Sequence, residues 1–125
     1  MVKFLTDEWI YALDQAARTL HSDLAETFTV EYRVQLDGTD SFIYHIGFDA
    51  GAIAVRIGEA ATPTVVLSTD HDTACGVATN TLSAQAAFMA GRLRLDGDTM
   101  ALVRNHEALA KLDDLFAAVR PVTEY

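Results

Sequence analysis

The sequence predicts an α+β fold: a five-stranded, mostly antiparallel sheet with helices layered on one face. Three observations carry this reading. An amphipathic helical pattern opens the chain, four alternating apolar and polar runs follow between Phe28 and Leu67, and helical patterns then take over around one more short alternating run at Leu93 to Leu95. Strands gathered in one part of the sequence and helices in another read as α+β, because each layer must bury its apolar face against the other.

The elements follow in order. Thr6 or Asp7 can cap a first helix, whose stripe of Trp9, Leu13, Ala16 and Leu20 runs to about Ser22. In the first strand Phe28, Val30, Tyr32, Val34 and Leu36 alternate with Thr29, Glu31, Arg33 and Gln35. Asp37-Gly38-Thr39-Asp40 makes a turn. Phe42, Tyr44, Ile46 and Phe48 then share one face, as do Ile53, Val55 and Ile57 after Gly51, and Val65 and Leu67 after Pro63. Short turns between such runs imply an antiparallel meander with one wet face. Asp70 and its neighbours Ser68 and Thr69 can cap a helix to about Thr79, and Ser83 can cap another that stops at Gly91. Asp98 or Thr99 caps a third helix after the Leu93–Leu95 strand. Leu109, Leu112, Leu115, Phe116 and Val119 stripe the last one, which Pro121 ends.

The chain of 125 residues reads as a single domain, 1–125, with no linker or repeat. Half its residues are hydrophobic, enough for a core and a cavity. A net charge of −9 argues against a nucleic-acid partner and against docking on anionic lipid. The acids Asp7, Glu8 and Asp14 are foreign to a signal peptide, and no apolar run reaches the roughly 20 residues that stable membrane insertion needs. One cysteine excludes an internal disulfide and suits a reducing compartment, so the expected location is cytoplasmic.

Ala86-Ala87-Phe88-Met89-Ala90-Gly91, then Leu93-Arg94-Leu95-Asp96-Gly97-Asp98, with Pro63-Thr64-Val65 before them, carry a resemblance. Their order and spacing resemble the sterol carrier protein (non-specific lipid transfer) family, over roughly Leu24 to Val119. The resemblance implies a five-stranded sheet with helices on one face and, between them, a hydrophobic tunnel that accepts sterols, fatty acids or fatty acyl-CoA. Peroxisomal members end in a Ser-Lys-Leu type signal; Thr123-Glu124-Tyr125 does not match it, and a bacterial cytoplasmic member is the expectation.

A lipid site needs concave apolar walls. The candidate lining from the sheet is Tyr32, Phe42, Tyr44, Phe48, Ile53 and Val55, and from the helices Phe88, Met89, Met100, Val103, Leu112 and Phe116. Each of these also suits an ordinary core, and it is the set together with the resemblance that favours a cavity. His71 and Cys75 lie four apart beside Asp70 and Asp72, yet capping and the helix dipole account for the acids, and catalysis is not expected. The scattered His21, His45, His71 and His106 give no metal-ligand spacing, and no cofactor is implied. Arg92, Arg94 and Arg104 form either a basic patch for a ligand anion or a solvated face. Ile43 and Val66 interrupt the polar sheet face and offer a partner surface, such as that of a homodimer. The expected function is binding or transfer of a hydrophobic ligand; the alternative is an accessory or dimerisation domain beside a catalytic partner.

Overall fold

The computed structural model describes residues 1–20, 27–36, 38 and 40–125. A short strand β1 (Val2–Lys3) leads into helix α1 (Asp7–Ala17). The main sheet comprises β2 (Phe28–Gln35), β3 (Ser41–Asp49), β4 (Ala52–Ile57), β5 (Val65–Asp70) and β6 (Leu93–Gly97). Helices α2 (His71–Ala78) and α3 (Ala84–Met89) lie between β5 and β6, and α4 (Met100–Arg104) and α5 (His106–Val119) follow. A 3-10 turn at Arg120–Val122 delivers the last strand, β7 (Thr123–Glu124), which pairs parallel with β1. The sequence reading contained neither β1 nor β7, because two-residue strands carry no period.

The capping chemistry read from the sequence is present. Thr6 Oγ1 accepts from Trp9 N (3.3 Å), an Asp70 carboxylate oxygen accepts from Thr73 N (2.7 Å), and Ser83 Oγ accepts from Ala86 N (3.0 Å). No side-chain bond caps α4 from Thr99, so that expectation is corrected. Helix α1 ends at Ala17, and Ser22, its expected limit, lies outside the described residues, as do His21, Leu24, Asp37 and Thr39. The turn between β3 and β4 is Ala50-Gly51, with φ of +51° and +86°. That is the mirror-image turn whose twist matches two right-twisted strands.

Sheet order is β4-β3-β2-β5-β6. Three pairings are antiparallel, but β5 lies parallel to β2, with Val30 opposite Val65 and Tyr32 opposite Leu67. The expected four-strand meander is therefore a three-strand one, and the fourth run crosses to the far side of β2. Alternation fixes which face a residue occupies but not which neighbour its strand takes.

All helices lie on the face carrying Phe28, Val30, Tyr32, Val34, Tyr44, Ile46, Phe48, Ile53 and Val55, which are buried. The opposite face is polar but not wholly wet. Glu31 is only 1% exposed there, because the segment after β4 folds over it: the carboxylate accepts from Ala60 N (2.8 Å) and Arg33 Nε (2.7 Å). Among the described residues no helix is long and apolar enough to cross a membrane.

Candidate functional site

Between β2, β5 and β6 on one side and α2, α3 and α5 on the other lies a cavity of about 530 Å³. Its floor follows from register. Tyr32, Leu67 and Leu95 stand in one row across the three strands, and Val34, Thr69 and Leu93 in the next. Its roof is built from the small side chains Ala74, Val77 and Ala78 of α2 and Ala84 of α3, with the larger Leu82 and Phe88 beside them, and α2 crosses the sheet without filling the space beneath it. Leu102 of α4 and Leu109 and Leu112 of α5 close another side.

The inner wall is aromatic. Tyr32 and Tyr44, opposite each other on β2 and β3, stack at 4.7 Å with their planes 4° apart. Phe116 meets Tyr32 edge-on at 6.2 Å, and Trp9 stacks on Phe116 and meets Tyr44 edge-on. Rings in these arrangements pack rigidly, so this wall separates the hollow part of the molecule from the filled part under α1. Asn80, Ser83, Gln85 and Asp113, all solvent-exposed members of the lining, form the mouth, and Asp113 lies one helical turn from Phe116.

The electrostatics are sparse. Asp113 is the only charged side chain among the described residues of the lining. Burial raises the Tyr32 phenol's pKa, and the charge of Asp113 adds to the shift. Burial also raises that of Tyr44, so both hydroxyls stay protonated. Where chemistry was conceivable, at His71 and Cys75, burial and then Asp72 push the thiol up from its ordinary value, away from the reactive thiolate. His71 packs its ring against Phe4 at 5.8 Å. Arg94 pairs with Asp96 (3.2 Å) and Arg104 with Asp98 (3.1 Å) on the surface, and none of the three arginines lines the cavity. Arg92 and Arg94 instead border a polar cleft on the opposite sheet face with Arg33.

Of the twelve residues expected in the lining, Tyr32, Tyr44, Phe88, Leu112 and Phe116 reach the cavity. Phe48, Ile53 and Val55 are instead buried in the filled core on the β3–β4 side of the sheet, which α1 covers. Phe42 is half-buried against the Tyr44 ring, outside the lining. Met89, Met100 and Val103 face solvent, 77%, 61% and 66% exposed. They sit on helices of six and five residues, too short for a periodic stripe to say which side faces inward. Sequence reasoning missed Leu67, Leu93, Leu95, Ala74, Val77 and Leu82. The β5 and β6 leucines had a signal, since they share the inward parity of their strands; the small α2 residues had none.

Comparison with known proteins places this geometry. The sequence profile of the SCP-2 sterol transfer family matches residues 12–110. No curated protein sequence matches. Among solved structures, the fold is similar to a crystal structure of sterol carrier protein 2, with a TM-score of 0.68 and 21% identity, covering 94% of this chain and 97% of that one. It is similar to a Thermus thermophilus conserved hypothetical protein, described as possibly sterol carrier protein, with a TM-score of 0.61 and 19% identity, over 100% and 93% of the two chains. It is also similar to a double mutant of a sec-alkyl sulfatase, with a TM-score of 0.60 and 20% identity; here 79% of this chain corresponds to 15% of that one. With the family profile spanning most of the chain, and the sheet, helices and fold neighbours in agreement with it, this protein belongs to the SCP-2 sterol transfer family.

Proposed function

We propose that the protein binds and carries a lipid, of the sterol, fatty acid or fatty acyl-CoA kind, in the cavity between sheet and helices, without chemical change to it. The observation that carries this is the cavity itself. About 530 Å³ lies within the roughly 300–1,000 Å³ typical of small-molecule sites, and its walls are mostly aliphatic and aromatic with a few polar groups. Removal of apolar surface from water, worth about 25 cal/mol per Å², supplies the affinity. The proposed setting is the cytoplasm, which the single cysteine suits.

A titration with fluorescent lipids of increasing chain length tests the proposal. Each added methylene contributes at most about 0.8 kcal/mol, so affinity rises up to about fourfold per carbon until the cavity is full. A response flat with chain length overturns it. The likeness to one part of a sec-alkyl sulfatase favours a second reading, an accessory or dimerisation module beside an enzyme. That reading expects an isolated domain that binds lipids of no length.

A further inference from the structure

Two phenols interrupt the apolar wall of the cavity, whereas the Thr69 hydroxyl in its floor is engaged, donating to the Arg92 carbonyl. Tyr32 and Tyr44 are 8% and 3% exposed, and both line the cavity. The hydrogen bonds among the described residues engage neither phenol. Nor is either oxygen sealed off: the enclosed, unpartnered side-chain atoms among the described residues are Trp9 Nε1 and Thr73 Oγ1. The two phenols therefore border the open space of the cavity. Buried tyrosine hydroxyls ordinarily have a partner, and leaving one without costs more than the bond itself gains. Because the rings stack as cross-strand neighbours on one face, their hydroxyls can serve one ligand group together.

The second observation is the sign of the charge. No lysine, arginine or histidine lies among the described residues of the lining, and the one charged group, Asp113, is negative and stands at the mouth. A carboxylate or phosphate drawn into this site would lose its water, find no counter-charge and face an acid. A neutral oxygen loses far less and gains the two phenols.

We infer that the cavity selects an uncharged lipid bearing a hydroxyl or carbonyl oxygen, held at the inner wall by Tyr32 and Tyr44, over the matching carboxylate or acyl phosphate ester. The inference rests on the lipid-carrier reading and narrows it.

Three long-chain pyrene probes, ending in an alcohol, a carboxylate or a methyl group, test it at neutral pH. The parent should bind the alcohol at least about tenfold tighter than the carboxylate. Tyr32→Phe with Tyr44→Phe keeps both rings, and should weaken the alcohol by about threefold to tenfold while changing the methyl-ended probe much less. Asp113→Lys alters an exposed position with little risk to folding, and should tighten the carboxylate by about fivefold. The inference is overturned if the parent holds the carboxylate as tightly as the alcohol, or if the double variant, shown folded by an unchanged denaturation profile, binds the alcohol as before. If all three probes bind alike, it falls and the lipid-carrier reading stands; if none binds, both fall.

Discussion

Helices α1 and α2 cover the same face of one sheet, yet α1 fills the space beneath it and α2 leaves it open. The difference lies in side-chain size. Helix α1 sends down Trp9, Ile10, Leu13 and Ala17, and these meet Phe48, Ile53 and Val55 in a close-packed half. Helix α2 offers only Ala74, Val77 and Ala78, and α3 adds Ala84 and the half-exposed Phe88, so the sheet opposite keeps its leucines without close-packed partners. Polar anchoring differs too. Asp14 of α1 accepts from Val55 N (3.0 Å), an unpaired edge donor of β4, and from Arg56 and Arg18. Helix α2 is tied near its end by Arg120 Nε, which donates to the Ala78 carbonyl (2.8 Å). A cavity thus arises here by omission: the layer is complete, and the α2 side chains beneath it are small.

That contrast can be broken from either side. Phe48→Ala in the filled half should cost about 3–5 kcal/mol in urea denaturation, because a rigid surround cannot collapse onto the void. Leu67→Trp in the hollow half places an indole in empty space. Its stability should stay within about 1 kcal/mol of the parent while lipid affinity falls more than tenfold. Val55→Trp, the same enlargement in the filled half, should cost about 1–3 kcal/mol instead. If Leu67→Trp is as damaging to stability as Val55→Trp, the two halves are packed alike.

Smaller effects sharpen the comparison. Desolvation raises the Asp14 carboxyl, but the Val55 N–H and the Arg18 and Arg56 guanidiniums outweigh it, and its pKa lies below the ordinary value. A depressed folded-state pKa stabilises above the unfolded value near 3.8, and that contribution is lost as pH falls through the lower, folded one. Asp14→Asn should therefore cost about 1 kcal/mol at neutral pH, a modest figure because both arginines are half-exposed, and the gap to the parent should close in acid. Least of all, Cys75→Ala should shift stability by under about 1 kcal/mol and leave lipid affinity unchanged. Alkylation of Cys75 should be slow at neutral pH and accelerate only above the usual thiol range.

The sequence was most legible where chemistry is local. Thr6, Asp70 and Ser83 announced their helices because a cap is one side chain meeting one backbone N–H. Strand faces were legible because alternation has a fixed period of two. Pairing was not: nothing in Val65 to Asp70 says that β2 is its neighbour and that the two run parallel. The lining was legible where a residue was large, on a long element and facing the hollow side, as with Tyr32, Tyr44 and Phe116. Phe48 and Val55 obey the same pattern and sit in the filled half, because hydrophobicity marks the inner face without marking what lies across from it. Met89, Met100 and Val103 failed for the shortness of their helices.

The parallel pairing of β5 with β2 also orders events in time. β2, β3 and β4 pair with their neighbours in sequence, whereas Thr29 meets Thr64 only across 35 residues of chain. Closure entropy grows by about 0.6 kcal/mol for each doubling of loop length, and contacts that come late return little until the whole layer is in place. β5 and β6, two of the three strands that floor the cavity, are therefore expected to be the last to join and the first to part. Native-state hydrogen exchange should show the amides of β5 and β6 opening at lower free energy than those of β3 and β4. On the proposed lipid-carrier reading, such opening would give a ligand a route in and out with no dedicated gate.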